Sequence, residues 1–270
     1  MDQYLESNRA LWNEWTAIHE RSEFYDLESF KRGGHRLRDY ELQEVGEVDG
    51  KSLLHLQCHF GIDSLSWARL GAKVTGADFS DRAIELARSL AEELGLNARF
   101  VRSNLYDLPD VLGGAFDIVY TSRGVLGWLP SVRRWADVVA HFIAPGGILY
   151  MTEAHPVSQV WAWEGIRPGE LRLADGYFEH VEPIAEPTQG SYADPSAQVG
   201  TQMEYGWNHG LGEIVTALAD AGLRLELLNE RPFMEWVTPF TVDLGDDRFG
   251  LPPETPGSIP LSFSLRVRKP

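Results

Sequence analysis

The sequence predicts an α/β protein with a doubly wound parallel sheet, and three features support this fold class. Residues 51–80 have the pattern of a strand, a tight loop, a helix and a second strand. Between residues 51 and 152, and including this first unit, five strand-like segments alternate with helical patterns. Such alternation is typical of parallel sheets with helices on both faces. The chain shows no internal repeat and no low-complexity segment that would favour a solenoid or a disordered protein.

The first unit contains the clearest signals. Residues 51–58 form an apolar run of the kind found in buried parallel strands. Gly61 lies in the following loop, where the lack of a Cβ lets a ligand approach the backbone. Residues 64–70 predict a helix that ends at a glycine, and residues 73–77 predict a strand followed by Asp78. Ligands of open α/β sheets bind outside the carboxyl ends of the strands, so Asp78 is placed to accept hydrogen bonds from a ribose diol.

The same alternation continues along the chain. The further predicted elements are a helix at residues 82–94, strands at 99–105 and 116–122, a helical turn at 107–112, a helix at 134–142, a strand at 148–152, a helix at 211–221, and final strands at 223–229 and 261–268. Residues 37–45 predict a helix before the first strand, and residues 24–34 predict a loop.

Two parts of the chain do not follow this alternation. Residues 4–18 predict a helix that either covers the ligand crevice as a lid or packs on the outside of the sheet. Residues 154–206 are rich in Pro, Gly and aromatic residues, with short alternating pieces at 169–174 and 177–181. We interpret them as an inserted hairpin or cap over the strand ends. The expected organisation is a single domain over residues 1–270, with a helical lid at 1–46, a cofactor-binding core at 47–153 and 207–270, and a substrate-side cap at 154–206.

Composition excludes several function classes. The chain has 270 residues and a formal net charge of −16, which disfavours nucleic-acid and anionic-membrane partners. Its only cysteine, Cys58, cannot form an internal disulfide and is expected to be a small buried residue. No apolar run is long enough to span a bilayer, and residues 1–3 do not resemble the start of a signal peptide. We therefore expect a cytoplasmic protein.

The loop after the first strand bears on the type of cofactor. The chain has no P-loop motif, and a dinucleotide fold would place Gly-x-Gly-x-x-Gly after this strand because a pyrophosphate needs close backbone approach. Here the loop reads Gln-Cys-His-Phe-Gly over residues 57–61, with bulky side chains in place of those glycines. A nucleoside cofactor without phosphate, such as S-adenosylmethionine, demands less of this loop.

Residues 51–153 resemble the class I S-adenosylmethionine-dependent methyltransferases. The family's first signature, an acidic residue followed by x-Gly-x-Gly-x-Gly, aligns with residues 55–61, where only Gly61 is retained. His55 stands at the acidic position, and Gln57 and His59 stand at the first two glycines. The run Leu-His-Leu-Gln-Cys-His-Phe-Gly is itself similar to that of a bacterial branch of the family. Residues 74–80, 100–109, 116–122 and 144–147 resemble, in order, the ribose-binding strand end, the adenine-binding segment, the fourth strand and the turn into the fifth.

The resemblance implies a Rossmann-like sheet of seven strands with the last antiparallel, and a set of contacts to S-adenosylmethionine. The loop residues would face the methionine part, Asp78 the ribose hydroxyls and Phe79 the adenine edge. Asn104, where the family usually has Asp, would accept from the adenine amino group through its amide oxygen. The residues implied to bind the cofactor are Gln57, Cys58, His59, Gly61, Asp78, Phe79, Asn104, Leu105, Thr121 and Ser122.

Methyl transfer from a sulfonium requires alignment and exclusion of water, and it needs a general base only if the acceptor is protonated. His155 and His209, near predicted strand and helix ends, are the candidate catalytic residues, although a histidine beside a helix start is more often a structural hydrogen-bonding residue. His59 is expected to contact the cofactor, and His19 and His180 are candidate lid residues. No group of His, Cys, Asp or Glu shows metal-ligand spacing along the chain, so no metal site is expected.

The expected methyl acceptor is a small molecule, methylated on oxygen or nitrogen, with S-adenosylhomocysteine as product. The Asn/Asp-Pro-Pro-Tyr/Phe motif of enzymes that methylate base amino groups is absent after the fourth strand. The lack of Lys and Arg between residues 173 and 223 favours an amine or cationic acceptor slightly. The aromatic residues of the insert either line an apolar pocket or give the insert its own core; they are Trp161, Trp163, Tyr177, Phe178, Tyr192, Tyr205 and Trp207.

Two alternatives from other functional classes remain open. One is a nicotinamide-dependent oxidoreductase, disfavoured by the missing glycines. The other is a methyltransferase-like protein that binds the cofactor without catalysis, which the altered first signature makes a plausible reading. The sequence does not determine the oligomeric state or the identity of the acceptor.

Overall fold

A seven-stranded sheet forms the centre of the computed structural model, which describes residues 2–162 and 165–270. The helices among these residues are α1 (Asp2–His19), α2 (Leu27–Lys31), α3 (Asp39–Val45), α4 (Ile62–Arg69), α5 (Asp81–Glu93), α6 (Leu108–Val111), α7 (Val132–Phe142) and α8 (Leu211–Asp220). The strands are β1 (Ser52–Leu56), β2 (Lys73–Asp78), β3 (Ala98–Arg102), β4 (Phe116–Ser122), β5 (Ile143–Ala154), β6 (Ile184–Pro187), β7 (Met203–Gly206), β8 (Arg224–Arg231), β9 (Phe233–Met234), β10 (Val242–Gly245), β11 (Arg248–Gly250) and β12 (Ser262–Arg268). None of the described helices combines the length and the apolar composition needed to cross a lipid bilayer.

The strand order of the central sheet is β3-β2-β1-β4-β5-β12-β8. Strands β1 to β5 pair in parallel, whereas β12 runs antiparallel to both β5 and β8. The predicted doubly wound sheet of seven strands with an antiparallel last strand is therefore confirmed. Because β1 has β2 on one side and β4 on the other, the strand order reverses at β1, and the crevice beside it is the expected ligand position.

Both faces of the sheet are covered by apolar side chains. In β1, Leu53 packs in a cluster with Trp67 of α4, whereas the next residue, Leu54, packs in a cluster on the opposite face with Trp135 of α7. Successive side chains of a strand point to opposite faces, so a run of buried leucines requires helices on both sides. Burial of these large side chains provides the main stabilisation and fixes the strand ends that border the crevice.

The structure differs from the sequence-based prediction mainly outside this sheet. The predicted loop at residues 24–34 contains the short helix α2, and β5 is longer than the predicted 148–152. The hairpin of the insert is formed by β6 and β7, not by residues 169–181. A three-stranded sheet of β9, β10 and β11 was not predicted, because strands of two to four residues carry little periodicity.

Helix α1 lies against the insert and the end of β2. The side chain of Asn8 donates to the carbonyl of Tyr205 in β7 at 2.7 Å and accepts from its N–H at 3.0 Å. The Asn13 amide oxygen accepts from the Ser80 hydroxyl at 2.7 Å and from the Arg82 N–H at 3.1 Å. These contacts hold α1 beside the carboxyl ends of the strands.

Candidate active site

A cleft opens at the carboxyl ends of β1, β2, β3 and β4, with α1 forming one wall. The empty space in it, counted together with its open mouth, is about 640 Å³. The residues that line it are Leu5, Trp12, Gln57, His59, Ala77, Asp78, Phe79, Ser103, Asn104, Leu105, Tyr106, Val125, Trp128 and Leu129.

The loop after β1 has an unusual backbone. Gln57 and His59 have φ angles of 56° and 51°, and Gly61 has a φ of 81°. Side chains other than glycine rarely adopt this left-handed region, and each such residue costs about 1–3 kcal/mol unless its surroundings hold it. A Cβ at Gly61 would also lie 2.7 Å from the ring of Phe100. The loop therefore has left-handed backbone at all three positions where the resemblance places glycines, although two carry bulky side chains.

Asp78 supports this loop from the end of β2. Its Oδ2 accepts a hydrogen bond from the His59 N–H at 2.8 Å, and its Oδ1 accepts from the Ser80 N–H at 2.9 Å. Burial raises the pKa of Asp78 to about 6, and these backbone N–H groups oppose the shift. Each carboxylate oxygen keeps a further lone pair that can accept a hydrogen bond from a ligand in the cleft.

Only one end of the Gln57 side-chain amide makes a hydrogen bond with the described residues. Its Nε2 donates to the Val125 carbonyl at 3.0 Å, whereas its Oε1 is buried and has no hydrogen-bond partner among the described residues. An unpaired buried acceptor costs free energy that a ligand donor can recover. Gln57 therefore offers an oriented acceptor to a donor such as an ammonium group in the cleft.

A buried carboxylate, not identified from the sequence, shapes the opposite wall. Glu153 at the end of β5 accepts hydrogen bonds from the backbone N–H groups of Gly124, Val125, Leu126 and Ala154, at 2.5, 2.8, 3.1 and 2.7 Å. The first three belong to the loop after β4 that carries Val125 and Trp128 into the cleft. The sequence signal was an acidic residue at the carboxyl end of a buried strand.

The residues after β2 and β3 form the far end of the cleft. Phe79, Asn104 and Leu105 all line it, as expected for residues near an adenine. The Asn104 amide oxygen, however, accepts from the Tyr106 N–H at 2.9 Å and so caps the turn that follows. Its amide N–H₂ is the part of the side chain left to interact with a ligand, so Asn104 is better placed as a donor than as the acceptor proposed from the sequence.

Four predicted cofactor residues lie behind the wall of the cleft. Cys58 is buried in an apolar cluster, where burial raises the pKa of its thiol. Gly61 begins α4, and Thr121 and Ser122 are buried at the end of β4. The Ser122 hydroxyl bonds to His55 Nε2 at 3.1 Å. These residues shape the loops and strand ends, and their side chains are absent from the cleft lining.

The structure also brings neither candidate catalytic histidine into the cleft lining. His155 begins a 3-10 turn, where its Nδ1 accepts from the Val157 N–H at 3.1 Å and its Nε2 lies 3.0 Å from Glu230. His209 Nε2 donates to the Leu129 carbonyl at 2.7 Å. Burial lowers the pKa of both imidazoles. Both histidines make hydrogen bonds within the protein. This is the structural role that the sequence analysis gave as the alternative to a catalytic one.

The histidine that does line the cleft is His59, and it is paired with His19 at the end of α1. His59 Nε2 lies 2.8 Å from His19 Nδ1, and His19 Nε2 lies 2.6 Å from the Ser191 hydroxyl. Burial lowers the pKa of His19 to about 3 and that of His59 well below its ordinary value, so the pair is neutral at neutral pH. His59 Nδ1 is buried without a hydrogen-bond partner among the described residues.

Aromatic side chains surround this pair. Trp12 of α1 contacts His59 edge to face at a centroid distance of 5.1 Å and contacts Trp128 at 5.3 Å. Of the insert aromatics, Tyr192 packs against His19 in a tilted arrangement at a centroid distance of 4.6 Å, and Tyr205 packs on Tyr4 of α1. Trp163 lies outside the described residues. None of the insert aromatics in the described part of the chain lines the cleft. Its aromatic lining consists of Trp12 of α1, His59, Phe79, Tyr106 and Trp128.

Comparison with known proteins agrees with this geometry. Residues 53–147 match a family model described as a methyltransferase domain. The ubiquinone biosynthesis O-methyltransferase of Erwinia tasmaniensis is 31% identical over 144 residues, which are 52% of this chain and 59% of that protein. The chain thus matches less than two thirds of the length of this curated relative.

Two solved structures have the same fold. An S-adenosylmethionine-dependent methyltransferase from Mesorhizobium loti superposes with a TM-score of 0.59 at 20% identity, over 85% of this chain and 96% of that one. A geranyl diphosphate C-methyltransferase from Streptomyces coelicolor, solved with Mg²⁺, geranyl diphosphate and S-adenosylhomocysteine, superposes with a TM-score of 0.52 at 12% identity, over 86% and 77% of the two chains. The chain therefore has the fold of these methyltransferases, and its residues 53–147 carry the sequence pattern of a methyltransferase domain.

Proposed function

We propose that the chain is an S-adenosylmethionine-dependent methyltransferase that transfers the methyl group to oxygen or nitrogen of a small molecule. The observation that carries the proposal is the cleft at the point where the strand order reverses. The buried Asp78 carboxylate and the Gln57 amide, whose Oε1 has no partner among the described residues, both line this cleft. The match of residues 53–147 to a methyltransferase domain supports the choice of cofactor.

The residues present fit this cofactor at three points. Asp78 would accept hydrogen bonds from the ribose hydroxyls, because each of its oxygens has a lone pair free of the backbone donors. Gln57 would accept from the ammonium group of the amino-acid part through its unpaired Oε1. Phe79, Asn104 and Leu105 would enclose the adenine, with Phe79 contributing an aromatic surface and Asn104 its amide donors.

When bound, the cofactor supplies an activated methyl group, so the protein has to bind, orient and exclude water. Trp12 and Trp128 border the cleft and contact each other, which limits access of water on the α1 side. Glu153 fixes the Val125 loop through its four backbone hydrogen bonds, so this wall is held in place before a ligand binds. A wall that is already ordered lowers the entropic cost of orienting a bound ligand.

The acceptor class rests on two observations that favour different groups. The curated relatives are named as O-methyltransferases, which favours a hydroxyl acceptor. The acidic insert favours an amine, as the sequence indicated. The described cleft lining contains Asp78 as its only acidic side chain, and its walls are aromatic and aliphatic, so the hydroxyl of an aromatic or apolar small molecule is the better fit.

A hydroxyl acceptor has to lose its proton, and His59 is the histidine placed to receive it. It is neutral, lines the cleft and has an unpaired Nδ1, while His19 orients its ring through Nε2. This assignment replaces His155 and His209, neither of which lines the cleft. We propose His59 as the proton acceptor and His19 as the residue that positions it.

The test is binding of S-adenosylhomocysteine to the full chain, followed by methyl transfer to panels of phenols, amines and carboxylates. Stoichiometric binding, measured by calorimetry and weakened in Asp78→Asn, is the expected result. Ligand at a hundred times its dissociation constant should raise stability by about 2.7 kcal/mol. Stabilisation by NAD(H) in place of S-adenosylhomocysteine would contradict the proposal and favour an oxidoreductase.

A second outcome would separate binding from catalysis. Tight binding of S-adenosylhomocysteine without methyl transfer to any acceptor in the panels would support a cofactor-binding protein without catalysis. The net charge of −16 supports a small-molecule acceptor over nucleic acid or an anionic membrane surface, and it is in keeping with a cytoplasmic location. Methylation of an RNA or DNA substrate in the same assay would contradict that part of the proposal.

A further inference from the structure

A second group of polar side chains lies on the other side of the Leu129 backbone from the cleft. It consists of Glu179 of the insert with His209 and Glu213 at the start of α8, and one ligand atom from each lies within 4.8 Å of the others. His209 is only 5% exposed. We propose that these three residues bind one first-row divalent metal ion such as Zn²⁺, and this site does not depend on the proposed methyl transfer.

The orientation of His209 points to a ligand. Its Nε2 donates to the Leu129 carbonyl at 2.7 Å, which fixes the tautomer and leaves the Nδ1 lone pair free. Nδ1 is buried, lies 3.5 Å from Glu213 Oε2 and makes no hydrogen bond with any residue that the structure describes. Histidines that bind metals usually donate their second ring nitrogen to a carbonyl or carboxylate, which orients the ring and raises its basicity. The Leu129 carbonyl has this role here.

The two carboxylates complete a mixed nitrogen and oxygen ligand set. Both carboxylate oxygens of Glu213 are buried without a hydrogen-bond partner among the described residues, and Glu213 follows His209 by one helical turn. Glu179 is exposed and approaches from the insert. One imidazole and two carboxylates suit Zn²⁺ or Mn²⁺ better than the all-oxygen ligand sets that Ca²⁺ and Mg²⁺ prefer. Water would occupy the remaining positions.

The segment that carries Glu179 is docked on the segment that carries His209. The Leu211 N–H donates to the Tyr177 hydroxyl at 3.1 Å, and the Asn208 side chain donates to the Gly176 carbonyl at 2.5 Å. Ligand atoms on one ion lie about 3–4 Å apart, given metal–ligand bonds of about 2.0–2.2 Å. The separations of up to 4.8 Å would have to shorten, and the exposed Glu179 side chain is the ligand that can move to close them.

Without a metal, the carboxylates are unfavourably placed. The Glu179 and Glu213 carboxylates are adjacent like charges, and both oxygens of Glu213 are buried without a hydrogen-bond partner among the described residues. A divalent ion would neutralise both carboxylates and join the insert to α8 and, through His209, to Leu129 in the loop after β4. Part of this site is visible in the sequence, since His209 and Glu213 are four residues apart at the start of α8. Glu179 is distant along the chain.

The experiment uses the full chain without an affinity tag, treated with a chelator and then dialysed, and titrated with Zn²⁺ by calorimetry. We expect one ion per chain, and an affinity at least tenfold lower in Glu179→Gln and in Glu213→Gln. Glu182→Gln, an exposed change in the same segment, is the matched control and should bind as the unchanged chain does. Thermal unfolding of each variant in chelator verifies that it is folded.

Co²⁺ provides a second readout that does not depend on activity. Substitution into the site should give visible absorption bands of a four- or five-coordinate ion, and Glu213→Gln should abolish them. Failure of the unchanged chain to bind Zn²⁺ with this stoichiometry would overturn the proposal. So would equal Zn²⁺ affinity in the Glu179→Gln/Glu213→Gln double variant, because the ion would then be bound elsewhere.

Discussion

The Asp78 carboxylate accepts a hydrogen bond from the backbone N–H of His59 at 2.8 Å. The residue at the end of β2 thus holds the loop that follows β1, in which His59 has a left-handed backbone. The same carboxylate lines the cleft. Loop geometry and ligand binding therefore depend on one side chain.

Replacing Asp78 by Asn should weaken both functions. The amide keeps the volume but loses the charge, and one of its two ends becomes a donor that faces a backbone N–H. We expect S-adenosylhomocysteine affinity to fall about 100-fold, as two charge-assisted hydrogen bonds are weakened, and the free energy of unfolding to fall by about 1–3 kcal/mol. Calorimetry and urea denaturation measure the two effects. Asp110→Asn, on the exposed side of α6, is the control and should change neither.

The affinity for S-adenosylhomocysteine should depend on pH through Asp78. Burial raises the pKa of this carboxyl from 3.8 to about 6, and the ionised form is the better acceptor for ribose hydroxyls. Affinity should therefore rise with pH up to about 6, by at most tenfold per pH unit, and remain level above it. The adjacent His59 does not interfere, because burial keeps its pKa well below 6.5.

Calorimetry between pH 5 and 8 tests this dependence. The Asp78→Asn variant, which has no carboxyl to titrate at this position, should bind weakly but equally across the range. An unchanged chain whose affinity is constant from pH 5 to 8 would show that Asp78 is not the group that binds the ligand.

Gly61 should tolerate alanine poorly for two separable reasons. Its φ of +81° is unfavourable for alanine, and a Cβ would lie 2.7 Å from the Phe100 ring. Gly95 has a φ of +63° but nothing within 4 Å of a Cβ, so Gly95→Ala measures the backbone effect alone. We expect Gly95→Ala to cost about 1–2 kcal/mol and Gly61→Ala about 1–3 kcal/mol more through overpacking. Equal losses in urea denaturation would mean that Phe100 moves aside.

Much of the fold could be predicted because its signals are local. Buried parallel strands are continuous apolar runs, and their helices end at glycines, so the order of strands and the position of Asp78 were readable in the sequence. The short strands β9, β10 and β11 were missed, since segments of two to four residues have no measurable periodicity.

The candidate site was less predictable because its contacts are distant along the chain. His19 and His59 are 40 residues apart, and His19 and Ser191 are 172 residues apart. Neither pairing has a sequence signature. The candidate catalytic residues were therefore chosen for their positions near predicted strand and helix ends, which selected His155 and His209. Both of those proved to bond to nearby groups.

Gln57→Gly restores the glycine of the family signature and tests the role of this side chain. The change relieves a left-handed backbone, worth about 1 kcal/mol, and removes the hydrogen bond to the Val125 carbonyl, worth about 1 kcal/mol. Stability should therefore change by less than about 1 kcal/mol, whereas S-adenosylhomocysteine affinity should fall about fivefold through loss of the Oε1 acceptor. An affinity equal to that of the unchanged chain would indicate that the ligand does not use Gln57.

Asn13→Ala tests whether α1 acts as a lid. The Asn13 amide oxygen joins α1 to Ser80 and Arg82 at the start of α5, yet the side chain does not line the cleft. Loss of this side chain should loosen α1, and with it Trp12, and lower the free energy of unfolding by about 1 kcal/mol. If the closed position of α1 retains the ligand, S-adenosylhomocysteine affinity should fall about fivefold, mainly through faster dissociation. Gln3→Ala, an exposed change on the same helix, should leave the dissociation rate unaltered. If Asn13→Ala lowers the stability of the protein but not its affinity for S-adenosylhomocysteine, α1 is an outer packing helix. Ligand binding would then not depend on the position of α1.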